Sequence, residues 1–234
     1  MTPRITVVVP CYNEGSDITD FLTRLFDSIT MPCEVLAVYD SPDDSTLPFL
    51  EQYAREDPRV VPTLNTYGPG PACALRFGLD NAQAPIVVVT MADGSDDPQQ
   101  VEQLARLVER GVVVAAASRY VKTGQQVGGP VLKRILSRGA GLSLYWFARV
   151  GTRDATNSFK AYDRDFIQRV GIESDTGFEL GLEMVAKARR YRLPVAELPT
   201  IWLDRTVGAS NFQVWSWLPR YLRWYRYAFG PRLR

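Results

Sequence analysis

The sequence predicts an α/β fold, a mostly parallel sheet with helices packed on both faces. Short apolar runs alternate with segments of helical periodicity over residues 5–116, which is the pattern of strand–helix–strand units. One run, Ile86–Val89, is apolar and β-branched throughout, as expected of a strand buried on both sides. Three aspartates follow it within residues 93–97. Because ligands of open α/β sheets bind outside the carboxyl ends of the strands, this stretch predicts the functional site.

The first half of the chain contains five predicted strands joined by helices. The strands are expected at 5–9, 34–39, 60–61, 86–89 and 112–116. Helices are expected after the turn at 13–16, up to about residue 55, from 72 through 78, and from 98 to 110. Asp97, directly before Pro98, is also a good N-terminal cap for the last of these helices, so a structural role stands beside a ligand role for it.

The pattern changes after Ser118 and divides the chain into two predicted parts, a domain over 1–211 and an extension over 212–234. A long helix is predicted over 131–150, a loop or short strand over 156–162, a helix over 178–190 and a strand over 195–201. The extension interleaves Trp and Tyr with arginines, and Pro219 should kink it. We predict an amphipathic C-terminal helix at a membrane surface, with its arginines on anionic lipid. The alternatives are packing on the domain, or an anchor for a separate membrane subunit.

Composition excludes several functions. Lys plus Arg number 27 against 26 for Asp plus Glu, so the chain is not a generally basic nucleic-acid binder. Histidine is absent, which excludes histidine-based catalysis and histidine-ligated metals. Six arginines and no acidic residue follow Asp204, so the body is mildly acidic and the tail basic.

Cysteine usage and hydropathy give an expected location. Three scattered cysteines support neither a disulfide framework nor a zinc site. The sequence enters its first strand without a signal peptide and has no run of 18 apolar residues. These features predict a protein of the reducing cytosol.

Polar residues follow three predicted strands, at 12–14, 40–44 and 93–97. In a doubly wound sheet these three stretches share one edge, where a nucleotide would bind. The chain has neither a Walker lysine motif nor Gly-x-Gly-x-x-Gly after the first strand. Asp93 and Asp96 are hard oxygen ligands suited to Mg²⁺ or Mn²⁺, and a metal is required if these carboxylates lie near a diphosphate.

The segment Val7–Glu14, with the sequence VVVPCYNE, resembles the opening of family 2 glycosyltransferases with the GT-A fold. Later segments resemble the dolichol-phosphate mannose synthases and their polyprenyl-phosphate relatives within that family. These segments match in order and spacing at 117–120, 136–140, 154–162 and 204–210. The resemblance covers nearly the whole chain, and it implies a GT-A-type nucleotide-sugar-binding domain.

The resemblance also implies roles for individual residues. The base and ribose would be held by Pro10, Tyr12, Glu14 and Asp40. Asp93 would be the remaining aspartate of the Asp-x-Asp metal motif and would act at the nucleotide and in catalysis. Catalytic phosphate contacts would come from Arg119 and Arg205 on the donor diphosphate and from Arg138 on the lipid phosphate, with Ser137 and Arg134 beside it. Arginine suits these tasks because its planar fork binds phosphate oxygens in pairs; for Arg134 a solvated helix face is an equal alternative.

Two departures from the family pattern, and one difference from the motif of processive synthases, bear on function. Met91 stands where the first Asp of Asp-x-Asp is usual, so either Asp96 supplies the missing carboxylate or fewer protein groups hold the metal. Ser210-Asn211 stands where many relatives have Ser-Lys. Arg220 replaces the glutamine of the Gln-x-x-Arg-Trp motif, so a processive polymerase is not expected.

The expected reaction is inverting transfer of a hexose to a polyprenyl or dolichyl monophosphate, at the inner face of a membrane. GDP-mannose is the first choice of donor, because the later motifs are most like those of the mannose synthases. UDP-glucose or a UDP-N-acetylhexosamine, and a glycan acceptor, are the alternatives. A nucleotide-sugar binding module without catalysis is the alternative from another class. Glu183 is expected to be either a base or a structural residue.

Overall fold

The computed structural model describes residues 2–204 and 214–233, and over these ranges it contains a seven-stranded sheet, a two-stranded sheet and flanking helices. The large sheet consists of β1 Ile5–Cys11, β2 Cys33–Tyr39, β3 Val60–Leu64, β4 Ile86–Val89, β5 Val114–Ser118, β7 Lys160–Asp163 and β8 Val195–Pro199. The small sheet pairs β6 Gln125–Val127 with β9 Ile201–Leu203. The helices are α1 Asp17–Ser28, α2 Leu47–Glu56, α3 Pro71–Asn81, α4 Gln100–Glu109, α5 Val131–Ser143, α6 Arg164–Val170, α7 Leu180–Arg190 and α8 Val214–Ala228.

The strand order of the large sheet is β3-β2-β1-β4-β7-β5-β8. β1 therefore lies between β2 and β4, so the chain reverses its winding direction beside β1. In open α/β sheets the ligand-binding crevice lies at this point, outside the carboxyl ends of the strands. All seven residues of β1 are buried, and its alternate side chains enter two cores. Val7 and Val9 pack with α1 and α4, and Val8 packs with α3 and α7.

β7 is the antiparallel strand of the large sheet and lies between β4 and β5. Lys160, its first residue, is paired with Val89 at the end of β4 and with Ala116 near the end of β5. Because β7 runs against its neighbours, the loop before it reaches the edge where the parallel strands end. The segment 150–159 is thereby brought to the predicted site.

Helix α5 does not extend to residue 150 as one α-helix. It ends at Ser143 and continues as a π-helical turn over Leu144–Ala148. Arg149 then takes a left-handed backbone conformation, with φ of 58°, which ends the segment. Leu144 and Ala148 enter the core beside α7 and α8.

Helix α8 packs against α7. Trp224 and Ala228 are buried in the same core as Leu182 and Val185 of α7. The side chain of Lys187 lies under the Trp224 ring at 5.3 Å. Among the helices of the described residues, none is long and apolar enough to span a membrane.

The predicted α/β fold with a mostly parallel sheet is confirmed, and the five early strands and their helices occur in the predicted order. The predicted strand over 195–201 is two strands, because the chain leaves the large sheet after Pro199 and joins β6 from Ile201. β6 and α6 were not predicted. β6 is three residues long with two glutamines, so its sequence carries no apolar alternation.

Candidate active site

The loop after β1 is held against the loop after β2 by a buried aspartate. Both carboxylate oxygens of Asp44 accept the backbone N–H of Asn13, at 3.1 and 3.2 Å. Asn13 has a left-handed backbone, with φ of 56°, and the hydroxyl of Thr46 accepts the N–H of Glu14 at 2.9 Å. These bonds fix the turn that leaves Tyr12 63% exposed at the sheet edge, where its ring is available to a flat ligand.

Asp40, at the end of β2, ties two further segments to this edge. Its carboxylate accepts the side-chain amide of Asn65 at 2.8 Å and the backbone N–H of Gly70 at 2.8 Å. Gly70 precedes α3 and has a φ of 113° that suits glycine. Asp40 thus positions the loop at 65–70 at the edge of the sheet where the strands end. Pro10, the other residue expected to hold the nucleotide from a strand, is buried within β1.

Asp93 and Asp96 lie just beyond the end of β4. Asp93 is half-buried and accepts the N–H of Ser95 at 3.0 Å. Asp96 is buried, and one of its oxygens accepts the hydroxyl of Thr90 and the N–H of Met91, both at 3.2 Å. Burial, and then the charge of Asp93, raise the pKa of Asp96 to about 7. The Asp96 carboxyl therefore supports the turn at Met91 directly.

These carboxylates allow a test of fit for a divalent metal. Within residues 2–204 and 214–233, no three acidic or thiol side chains converge on one point. The described residues therefore do not form a site in which protein side chains supply all the metal ligands. Asp93 at the crevice fits an ion that takes its other ligands from water and substrate phosphates, which is how Mg²⁺ is usually held.

Asp97 acts locally. Its side chain accepts the N–H of Gln99 at 3.0 Å and its carbonyl accepts the N–H of Gln100 at 3.0 Å. These bonds close the turn that leads into α4. The N-cap of α4 is Gln99 and not Asp97, because the helix begins at Gln100, two residues later than predicted.

Arg119, directly after β5, is clamped by a buried aspartate. Asp154 accepts Nε of Arg119 at 2.7 Å, Nη2 at 2.9 Å and the backbone N–H at 3.0 Å. The two side chains are 9% and 0% exposed. Burial raises the pKa of Asp154, but the charge and hydrogen bonds of Arg119 outweigh it and leave that pKa below its ordinary value. The guanidinium is therefore held in one orientation, with rings of Tyr120 and Trp202 within 6 Å of it.

Ser137 of α5 joins this pair to the next helix. Its hydroxyl lies 2.7 Å from that of Thr156, and it accepts the hydroxyl of Tyr120 at 3.0 Å and Nη2 of Arg119 at 3.4 Å. One turn later, a Cβ added to Gly141 would lie 2.1 Å from the carbonyl oxygen of Arg153. Ser137, through its hydrogen bonds, and Gly141, through its lack of a side chain, thus allow α5 to pack closely against the 152–157 loop.

Lys160 lies beneath the same loop and is fully buried. Its ammonium donates to the carbonyl oxygens of Ala155 and Asn157. Burial lowers the pKa of Lys160 to about 7, although the charge of Asp154 opposes the shift. Lys160 therefore braces the loop that carries Asp154 and Thr156.

The predicted acceptor-phosphate arginines are on α5. Arg134 and Arg138 are exposed and lie one turn apart, on either side of Ser137 in sequence. Arg138 is thus one residue from a side chain that contacts Arg119. Arg205, predicted to contact the donor diphosphate, and Ser210-Asn211 lie outside the described residues.

Glu183 has a structural role. Its carboxylate accepts the backbone N–H groups of Glu173 and Ser174 at 2.7 and 2.8 Å and the Ser174 hydroxyl at 2.5 Å. It also pairs with Lys187 at 2.6 Å, and its side chain is fully buried. These contacts decide between the two roles that the sequence left open.

Asp154 and Tyr120 were given no role from sequence. Both lie in segments that carry the family resemblance, at 154–162 and 117–120. The sequence did carry a signal for their roles, because Asp154 opens the first of these motifs and Arg119 lies in the second. Their pairing depends on β7 lying beside β5, which no local pattern reveals.

The chain belongs to glycosyl transferase family 2, whose profile matches residues 6–171. It is 26% identical over 216 residues to the polyprenol monophosphomannose synthase of Mycolicibacterium smegmatis, covering 90% of this chain and 81% of that one. The predicted family and enzyme class are thereby confirmed.

Two solved structures share the fold. A mannosyltransferase from Pyrobaculum calidifontis, in complex with GDP-Man and Mn²⁺, matches with a TM-score of 0.61 and 19% identity over 90% of this chain and 59% of that one. Glucosyl-3-phosphoglycerate synthase from Mycobacterium tuberculosis, with Mn²⁺, UDP and phosphoglyceric acid, matches with a TM-score of 0.69 and 16% identity over 99% of this chain and 80% of that one. Both bind a nucleotide or nucleotide sugar with a divalent metal.

Proposed function

We propose that this protein transfers mannose from GDP-mannose to a polyprenyl monophosphate with inversion at the anomeric carbon. The observation that carries the proposal is the network from Arg119 through Ser137 to the helix bearing Arg138. It joins a fixed cation at the sheet edge, where the nucleotide is expected, to exposed cations suited to a second phosphate. The family and the relative named for polyprenol monophosphomannose synthesis support the same assignment.

The proposed chemistry needs little acid–base help. A phosphate oxygen of the acceptor attacks the anomeric carbon, the bond from that carbon to the diphosphate breaks, and the nucleoside diphosphate leaves with the electron pair. A phosphomonoester has a second pKa near 6, so the nucleophile is already largely dianionic at neutral pH. The absence of histidine from the sequence agrees with this.

The protein's own residues would position the reactants and balance charge. Tyr12 and Glu14, with Pro10 and Asp40 shaping the loops, would hold the base and ribose. Arg119, fixed by Asp154, and Arg205 would bind the donor diphosphate.

The acceptor phosphate would lie beside α5. Arg138 would bind it, with Ser137 and Arg134 next to it. The exposure of both arginines supports this role, since an incoming ligand can reach their side chains.

Asp93 would hold Mg²⁺ or Mn²⁺, with Asp96 beneath it. A divalent ion, when bound, supplies positive charge to the leaving diphosphate. Asp93→Ala is expected to lower transfer by at least about a hundredfold, since metal-bound charge at a leaving group is worth several kcal/mol. Full activity in Asp93→Ala would remove that residue from the mechanism.

The decisive experiment is a transfer assay with purified protein, Mn²⁺ or Mg²⁺, a short water-soluble prenyl phosphate and labelled GDP-mannose, UDP-glucose and UDP-N-acetylhexosamines. A labelled prenyl product from GDP-mannose is expected. Product from a UDP-sugar alone would change the donor, and transfer to a glycan alone would change the acceptor. Nucleotide binding without turnover of any donor would indicate a binding module.

The acceptor assignment has its own test. Arg138→Ala is expected to raise KM for the prenyl phosphate about tenfold or more, since a charge-assisted phosphate contact is lost, with little change for the nucleotide sugar. Arg106→Ala on α4, which removes an exposed arginine paired with Glu102, is the matched control. An unchanged acceptor KM in Arg138→Ala would refute the assignment.

We further propose action at the inner face of a membrane, since a polyprenyl chain resides in the bilayer. The C-terminal segment 212–234 would contribute, because α8 exposes Leu222 and Arg226 and Phe229 is exposed directly after it. A separate membrane subunit would be detected by co-purification with the detergent-solubilised protein.

A further inference from the structure

Helix α5 and the π-helical turn after it present apolar side chains to solvent. The exposed fractions are 58% for Val131, 56% for Leu132, 61% for Ile135, 47% for Leu136, 66% for Trp146 and 78% for Phe147. A surface helix normally directs its apolar stripe to the core. A run of large exposed apolar groups such as this marks an interaction site.

The opposite side of the same segment is the one that packs. Ser137, Gly141, Leu144 and Ala148 recur at helical spacing and face the 152–157 loop and the core. Leu132 and Ile135 fall on the far side of α5 by the same spacing. The exposure therefore follows from the way α5 packs on the domain. We call the six exposed side chains the apolar face of α5: Val131, Leu132, Ile135, Leu136, Trp146 and Phe147.

Cations border the apolar face. Arg134 and Arg138 are exposed on α5, and Arg149 is exposed just after the π-helical turn. The sequence has no acidic residue between Glu109 and Asp154. The positive charge here is therefore not balanced by neighbours along the chain.

The segment before α5 has the same character. β6 pairs with β9, and the outer side of this small sheet exposes Val127, Ile201 and Leu203 by half. Its inner side carries Trp202, near Arg119. Three residues join β6 to α5, so apolar groups precede and follow the turn that leads into the helix.

We propose that the apolar face of α5 is the surface through which this protein docks on an anionic lipid bilayer. The proposal rests on the proposed function, since a bilayer-docked α5 would bring Arg138 to the level at which a prenyl phosphate headgroup lies. Trp146 and Phe147 would enter the headgroup–acyl boundary, where aromatic rings are favoured. Arg134, Arg138 and Arg149 would lie on anionic headgroups.

Charge complementarity and continuity with the site favour a bilayer as the occupant. Apolar and aromatic groups bordered by exposed arginines are the pattern of an interfacial helix. The helix is also part of the candidate site, because Ser137 contacts Arg119 and Thr156. A bilayer substrate and the site would thus meet at one helix.

The test is binding of the full chain to vesicles of phosphatidylcholine with and without phosphatidylglycerol, measured by flotation. Wild type is expected to bind the anionic vesicles more tightly. Ile135→Glu and Trp146→Glu should each weaken that binding by about tenfold or more, because each removes buried apolar area and adds a repelled charge. Both side chains are exposed, so the thermal unfolding midpoints should match that of wild type.

Two matched controls place the contact. Phe49→Glu makes the same change at an exposed apolar residue of α2, beside β3, and should leave binding unchanged. Leu222→Glu makes it on α8 and should have a smaller effect than Ile135→Glu. Loss of binding in Leu222→Glu with normal binding in Ile135→Glu would overturn the proposal.

A soluble acceptor separates this proposal from the proposed function. Trp146→Glu, which lies two turns from Arg138, should transfer mannose to a short water-soluble prenyl phosphate at the wild-type rate, and fail with long-chain acceptor in vesicles. If wild type transfers to the soluble acceptor but does not bind anionic vesicles, the docking surface is refuted and the function stands. If wild type binds vesicles through α5 but uses no prenyl phosphate, the function is refuted and the surface stands.

A second copy of the chain is the competing occupant. Sedimentation velocity without lipid should give a monomer for wild type and for Ile135→Glu. A wild-type dimer that Ile135→Glu dissociates would overturn the proposal in favour of self-association.

Discussion

Helices α5 and α8 are built from the same kinds of residue, yet they use their apolar sides differently. Each interleaves large apolar or aromatic side chains with arginines. In α8, Trp224 and Ala228 are buried against α7, whereas in α5 Ile135 and Leu136 are about half exposed. The same composition thus serves a core helix in one place and an outward face in the other.

The arginines differ in the same way. Arg220 and Arg223 of α8 pair with Asp175 and Glu173, acidic residues of the loop before α7. Arg134 and Arg138 of α5 lie in an acid-free part of the sequence. Arg220 and Arg223 are thus paired within the protein, whereas Arg134 and Arg138 suit external anions.

The largest test of this difference compares two tryptophans. Trp224→Ala should lower the free energy of unfolding by about 3–5 kcal/mol, because a buried indole leaves a cavity. Trp146→Ala, the matched change on the apolar face of α5, should lower it by less than about 1 kcal/mol. Denaturant unfolding measures both, and equal losses would contradict the contrast between the helices.

The second-largest loss of stability is expected from Lys187, whose charge lies beneath α8. Lys187→Met removes the cation that pairs with the buried Glu183 and lies against Trp224. A loss of about 3 kcal/mol is expected, because a buried carboxylate keeps its desolvation without its partner. Arg223→Ala, which breaks an exposed pair with Glu173, should cost below about 1 kcal/mol. If the two variants unfolded alike, the Lys187 pair would not be holding the α7–α8 layer.

A hydroxyl comparison tests how α5 is seated. Ser137→Ala should lower the free energy of unfolding by about 1 kcal/mol and raise KM for prenyl phosphate, because the contacts to Thr156 and Arg119 are lost. Ser143→Ala, on the same helix, removes a hydrogen bond to Tyr225 of α8 and should leave that KM unchanged. If both variants had the same KM for prenyl phosphate, Ser137 would not position the groups that bind the acceptor.

The smallest change in stability is expected for substitution of Leu132. Leu132→Gln should change the free energy of unfolding by less than about 0.5 kcal/mol, because the side chain is exposed and has little packing to lose. Vesicle binding, measured by flotation, should weaken severalfold in the same variant. A clear destabilisation would place Leu132 in a packed interface and argue against an outward face.

Much of the site could be foreseen because its parts are local. Tyr12, Asp40 and Asp93 follow predicted strands, and parallel strands end at a common edge. Ser137 and Arg138 are consecutive residues of one predicted helix. The partners of Arg119 could not be foreseen in this way, because Asp154 is 35 residues away and reaches it through the antiparallel β7.

The sequence by itself determined the order of strands and helices, the strand ends that carry the polar residues, and the family. Local periodicity and short motifs encode these features. The tertiary structure decided that β7 enters the sheet antiparallel, that Asp154 clamps Arg119, and that α8 is packed while α5 faces outward. Those outcomes depend on which surface each segment meets, and an amphipathic pattern specifies that a helix has an apolar side without specifying what covers it.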